Sequence, residues 1–163
     1  MFRKFLAASL ITVAVIAASP SFAKVTMVKE VEVNADLKAI QNAKAAAHWA
    51  TLADDLKSAI VTRLTDRIAD DGVKVMIDID SVELASSLQS ATGAANSHLK
   101  GHVNILSDNG AMKAQSYDLT IGFEQAGPFF LPGTDLTKVS MDSNEYYQAM
   151  IAAFADSVVR DLN

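Results

Sequence analysis

Cysteine is absent from all 163 residues. No disulfide can staple the chain, no thiol can act as a nucleophile, and no lipid can be carried on a cysteine. Proline occurs three times and glycine seven times. With half the residues apolar, that composition reads as globular and excludes a disordered or low-complexity chain. Positive charge is also scarce, with 14 Lys and Arg against 19 Asp and Glu for a formal net charge of −5. An acidic domain has no general electrostatic attraction for nucleic acid or anionic headgroups, so neither is expected as a partner. Beyond residue 18 no apolar run is long enough to span a bilayer, so no transmembrane segment is expected in the mature chain.

What is present begins with an export pattern. Arg3 and Lys4 precede the uncharged stretch 5–18, and Ser19-Pro20-Ser21-Phe22-Ala23 follows with small residues at Ser21 and Ala23. This is the charged, apolar and small-x-small order of a secretory signal peptide. Proline ends the apolar helix and leaves the next residues extended for a peptidase. At ~1.5 Å per residue the apolar stretch reaches only about 21 Å, short of the ~30 Å hydrocarbon core, so a leader is favoured over an anchor. Cleavage is expected after Ala23. Residues 24–163 then form a single periplasmic or secreted domain, long enough for a real core.

Periodicity predicts the elements of that domain. Val25, Met27, Val31 and Val33 alternate with Thr26, Glu30 and Glu32, a strand over 25–33 with one buried face. Lys29 interrupts that face and marks an edge strand or a bulge. Trp49, Leu52, Leu56, Ile60, Leu64 and Ile68 form the apolar stripe of a helix over about 45–69. Asp54, Asp55, Lys57, Arg63, Asp66 and Arg67 lie off the stripe, and Gly72 suits a left-handed position after it. Val73, Val75, Ile77 and Ile79 give a second strand whose parity changes near Ser81, which calls for a bulge. The small, polar stretch 86–97 reads as a mobile loop. Leu99, Gly101, Val103 and Ile105 alternate in a third strand. Asp108-Asn109-Gly110 suits a hairpin turn, and Tyr117, Leu119, Ile121 and Phe123 share one face of the return strand. Asp142 and Glu145 resemble a capping box ahead of a final helix over about 143–161, with Tyr147, Met150, Ile151, Phe154, Val158 and Leu162 as its stripe.

The expected fold is therefore α+β: a two-layer sandwich, β-α-β-β-β-α, with a four-stranded mixed sheet and two helices on one face. The long helix makes the first two strands parallel, and the rest form an antiparallel meander. This order of elements, in an exported acidic domain, resembles periplasmic accessory domains of the lipopolysaccharide-assembly lipoprotein kind. The likeness covers most of residues 25–162 and lies in the order of elements. It implies two helices on one face of a four-stranded sheet and a domain that acts by binding, without catalysis.

Candidate chemistry is sparse. His98 and His102 share the polar face of a strand about 13 Å apart, too far for one zinc ion, so no metal site or other cofactor is expected. His48 beside Trp49 reads as solvent-facing. Asp78 and Asp80, about 6.6 Å apart on one face, could serve paired-carboxylate chemistry, but nothing in the sequence builds a desolvating cleft around them. No Gly-x-Ser-x-Gly, phosphate-cradling glycine loop or His-Glu-x-x-His occurs. Two surfaces remain for a partner. One is the polar sheet face, with Glu30, Glu32, Lys74, Asp78, Asp80, His98, Lys100, His102, Asp118, Thr120 and Glu124. The other is Phe129-Phe130-Leu131, set between Gly127-Pro128 and Pro132-Gly133, which either folds back under the helices or meets a partner or membrane surface. Fold-back is the favoured outcome.

The expected function is a non-catalytic binding or assembly protein of the bacterial cell envelope, its partner another envelope protein or component. A small-ligand or lipid carrier is the alternative, and a hydrolase using the acidic sheet face is the third reading. An edge strand also leaves a homo-oligomer open. N-terminal sequencing of exported protein should read Lys-Val-Thr-Met from Lys24; a chain that still begins at Met1 would refute the leader.

Overall fold

A computed structural model describes residues 25–35, 50–83, 98–107, 114–139 and 143–162. The expected leader, His48, Trp49, the expected loop over 86–97, the expected turn at Asp108-Asn109-Gly110 and Asp142 lie outside the described residues. The architecture is α+β, with a four-stranded mixed sheet in the order β1-β2-β3-β4. The strands are β1 (Val28–Ala35), β2 (Val73–Glu83), β3 (His98–Leu106) and β4 (Gln115–Gly122). β1 runs parallel to β2, and β2, β3 and β4 are successively antiparallel. Helix α1 (Leu52–Arg63) is the crossover between the parallel pair. A short helix α2 (Phe123–Ala126), not foreseen, follows β4, and α3 (Asn144–Asp161) closes the chain. The helix α1 packs on β1 and against α3, and α3 reaches across to β4.

Strand β1 is both an edge strand and bulged, β2 carries the bulge expected near Ser81, and each bulge corrects a parity. On β1, Val28 pairs with Val73 and Glu30 with Lys74, so Lys29 is the extra residue. Val28 and Val31, three apart, are therefore both buried, while Val25 is exposed. The strict two-residue spacing of Val25, Met27, Val31 and Val33 fails because the bulge absorbs one step. On β2 the register shifts between Ile79 and Ser81, leaving Asp80 unmatched and setting Val82 opposite Leu99. Between these bulges Val75, Ile77, Val103 and Ile105 are fully buried at every second position.

The core lies between this face and the two long helices. Leu52, Leu56, Ile60 and Leu64 of the α1 stripe are fully buried, as are Met150, Phe154, Val158 and Leu162 of the α3 stripe. Tyr147 ties the helices together: its hydroxyl donates to Asp55 Oδ2, which also accepts from Thr51 Oγ1 at 2.7 Å. The N-cap of α3 is Ser143, one residue beyond the expected Asp142. Its Oγ accepts from the Tyr146 amide at 3.1 Å.

Three local expectations fail for physical reasons. The α1 helix stops at Arg63 instead of Ala69, and residues Thr65–Arg67 form a 3₁₀ turn. Thr62 Oγ1 bonds the Ser58 carbonyl and Thr65 Oγ1 bonds the Thr62 carbonyl, so hydroxyls compete with helix continuation here. Ile68, counted in the stripe, is exposed and bridges Val28 instead. Arg67, off the stripe as expected, is half-buried. Its guanidinium donates to the carbonyls of Thr26 (3.0 Å), Leu162 (3.0 Å) and Val159 (3.4 Å), satisfying the C-terminal end of α3. Gly72 has no positive φ; only Gly133 does among the described residues. A β-carbon on Gly72 would lie 2.5 Å from the Val28 carbonyl carbon, so glycine is required there for close approach to β1.

Because Phe154 is fully buried between both layers, Phe154→Ala should lose about 3–5 kcal/mol in denaturant unfolding. A loss near zero would place α3 off the core.

Candidate functional site

The alternation that buries one side of β1–β4 delivers a polar row to the other. Asn34, Asp78, His102 and Asp118 are successive cross-strand partners, one from each strand. They are joined at two of the three steps: Asn34 Nδ2 donates to Asp78 Oδ1 at 3.2 Å, and His102 Nδ1 lies 2.7 Å from Asp118 Oδ1. A carboxylate only accepts, so the Nδ1–H is the donor. His102 Nε2 lies 2.7 Å from Ser116 Oγ, whose hydroxyl donates to Asn104 Oδ1 at 2.8 Å. Lys100 Nζ stands 3.7 Å from Asp118 Oδ2. At the β1 edge, Lys74 Nζ bridges Glu32 (2.8 Å) and Glu30 (3.3 Å).

These contacts set the electrostatics. The hydrogen bond from His102, then the charge of Lys100, hold the Asp118 carboxyl below its ordinary 3.8. The hydrogen bond from Lys74 holds Glu32 below its ordinary range, and Glu32 in turn raises Lys74. All of these groups are solvated, so the pairs order the face without adding much stability.

Asp118–His102–Ser116 repeats the order of contacts that activates a serine nucleophile, carboxylate to Nδ1 and hydroxyl to Nε2. Its surroundings differ from those of such a site. Side-chain exposure is 40% at His102 and 58% at Asp118. Acyl transfer depends on donors preorganised in a water-poor setting, and a flat strand face offers water instead. The sequence reading missed this network because Ser116 and Asp118 look like routine outward residues; only the β3–β4 register sets them against His102.

The structure brings Lys74, Asp78, Lys100 and His102 together on this face. Asp80 sits at the β2 bulge, exposed. The tripeptide is elsewhere. Phe129 and Phe130 are half-buried and pack against the core, with Phe130 in a ring cluster with Phe123 and Tyr146 at centroid distances of 5.8–6.3 Å. Only Leu131 projects, at 75% exposure. Phe123, expected on the strand, instead opens α2, where Gln125 Oε1 accepts from the Gly122 amide at 3.0 Å. The tripeptide and the polar face therefore do not form one surface. An open groove of about 400 Å³, lined by Thr134, Asp135, Lys138, Val139, Ser143 and Glu145, lies at the start of α3. Among the described residues no cluster of three or more His, Cys, Asp or Glu is placed to hold a metal ion, and no helix is long and apolar enough to cross a membrane.

No protein-family description matches the chain, and no curated protein matches it in sequence. Solved structures do. A DUF330 protein from Xanthomonas campestris is 14% identical, with 88% of each chain covered and a TM-score of 0.46. The PelC dodecamer from Paraburkholderia phytofirmans is 13% identical, covering 88% of this chain and 93% of that one, with a TM-score of 0.45. Rare lipoprotein B from Shewanella oneidensis is 16% identical over 82% and 93%, with a TM-score of 0.39. The similar structures thus include bacterial lipoproteins; no residue of the polar face is carried across from them.

Nuclear magnetic resonance titration of the Asp118 carboxyl should give a midpoint below 3.8 that moves up in His102→Ala. Since the folded value is the depressed one, the contribution of Asp118 to stability is present above its unfolded pKa and is lost as pH falls through the folded value. An Asp118 midpoint unchanged by His102→Ala would contradict the assigned contact.

Proposed function

We propose that the protein is a non-catalytic binding protein of the bacterial cell envelope, periplasmic after loss of its leader, that recognises another envelope protein through the polar face of its sheet. The observation that carries this reading is the cross-strand network. Polar side chains from all four strands are held in fixed positions by one another, with Asn34 on Asp78, His102 between Asp118 and Ser116, and Lys74 between Glu30 and Glu32. A face ordered before contact loses less side-chain freedom on binding. Its mixed signs suit recognition of a protein surface of complementary pattern, since charge placement sets register and excludes wrong partners.

The carrier reading finds less support. Leu56, Ile60, Ile77, Val103 and Phe154 are fully buried members of one core cluster between helices and sheet, which is the packing of an interior and not of an open ligand site. A hydrolytic role for Ser116 is disfavoured by the solvation of this face, where Ser116 itself is exposed.

A photo-crosslinking side chain placed at Asn104 in cells should capture a discrete envelope protein, and Lys100→Glu should reduce that capture without altering the melting temperature. The same group at Lys57, on the exposed side of α1, should not capture it. Equal capture from both sites would remove the polar face from the account. A fluorophosphonate probe should leave Ser116 unlabelled; labelling, together with ester hydrolysis lost in Ser116→Ala, would make the protein an enzyme.

A further inference from the structure

The two edges of the sheet are built differently. The β1 edge is blunted by the bulge at Lys29, an exposed lysine. The β4 edge has no such device. Its register with β3 runs unbroken from His98↔Gly122 to Ile105↔Gln115, and the strand contains no proline, no lysine and no bulge. The cover beneath it is also incomplete. On the helix-facing side, Tyr117 and Leu119 are only half-buried, whereas Val103 and Ile105 on the adjacent strand are fully buried. Among the described residues no further backbone bond is made by Gln115 to Ile121 outside the sheet, and a regular strand with an unpaired edge and half-covered apolar side chains is a template for strand addition.

We propose that β4 pairs antiparallel with β4 of a second copy about a two-fold axis at Leu119, joining two sheets into one of eight strands. Side-chain chemistry selects the register. Residues opposite one another in an antiparallel pair share a face, so the axis passes through a residue and pairs others symmetrically around it. An axis at Asp118 sets that carboxylate against its own copy, which is repulsive. An axis at Tyr117 sets Leu119 against Gln115. An axis at Leu119 sets Leu119 against its own copy, Tyr117 against Ile121 and Asp118 against Thr120. That register extends the apolar face across the junction and leaves no like charges opposed. The pairing is made by backbone groups of the edge, flanked by Asp118 and Thr120 of the polar face, and its test reads self-association while that of the proposed function reads capture of a different protein.

The mature protein should show a concentration-dependent monomer–dimer equilibrium in sedimentation experiments. Thr120 is exposed, so changing it leaves the core alone. Thr120→Asp places a second carboxylate opposite Asp118 at both ends of the junction and should weaken the dimer at least several-fold. Thr120→Lys, opposite the same carboxylate, should tighten it at low salt. The chain has no cysteine, so Leu119→Cys introduces one thiol per copy. Antiparallel partners stand close enough for a disulfide, and mild oxidation should link this variant and not Thr120→Cys. Circular dichroism confirms that each variant is folded. A protein that stays monomeric through the high-micromolar range, or a dimer indifferent to both charged variants, overturns the proposal.

Discussion

Phe154 lies over Gly101 near the middle of the sheet. A β-carbon at Gly101 would come within 3.2 Å of the Phe154 ring and 2.9 Å of Ile79 Cδ1. The missing side chain on β3 is thus the seat for the largest hydrocarbon of α3, and the helix settles against the strands at that depth. Around this contact Ile60, Ile77, Val103 and Met150 are fully buried. With no disulfide and no described metal cluster, packing of this kind is what holds the layers together.

That one-sided packing dictates the rest. Apolar residues must stay on the helix side through every strand, so each drift in parity needs correction. The bulges at Lys29 and Asp80 are those corrections. The opposite side then carries the polar partners of each alternation, and the β2–β3–β4 register aligns Asp78, His102 and Asp118 into a row. The polar face is a consequence of how the core was built, and its internal hydrogen bonds turn a solvated side into a fixed pattern. Arg67 performs a similar service at the other end of the fold. It gathers the carbonyls of Thr26, Val159 and Leu162, joining the entry to β1 with the exit from α3.

Strands and core were legible because period two and period 3.6 are strong where residues alternate cleanly, as from Val73 to Ile79 and from Leu99 to Ile105. The stripe of α3 was legible for the same reason. Helix ends were not. The stop at Arg63 is accompanied by side-chain bonds from Thr62, Arg63 and Thr65 to carbonyls of the last turns, and Ile68 continued the stripe in sequence after the helix had ended. Gly72 looked like a turn residue because glycine serves both turns and close approaches; only the neighbouring β1 backbone separates the two. Of the candidate site, the outward residues Lys74, Asp78, Lys100 and His102 followed from alternation. Their contacts with Ser116, Asp118 and Asn34 required the register, which no single strand encodes. Phe130 of the tripeptide is drawn in by Phe123 and Tyr146, and Phe129 packs against the core; the turn read by itself holds neither contact.

The account rests on a sheet with one dry and one wet side. A soluble paramagnetic agent, added to the isotopically labelled mature protein, reports that division directly. Side-chain signals of Lys100, His102 and Asn104 should broaden strongly, and those of Leu99, Val103 and Ile105 should not, an alternation of period two along a single strand. Uniform protection of both sets would show the polar face covered within the molecule and would contradict the account.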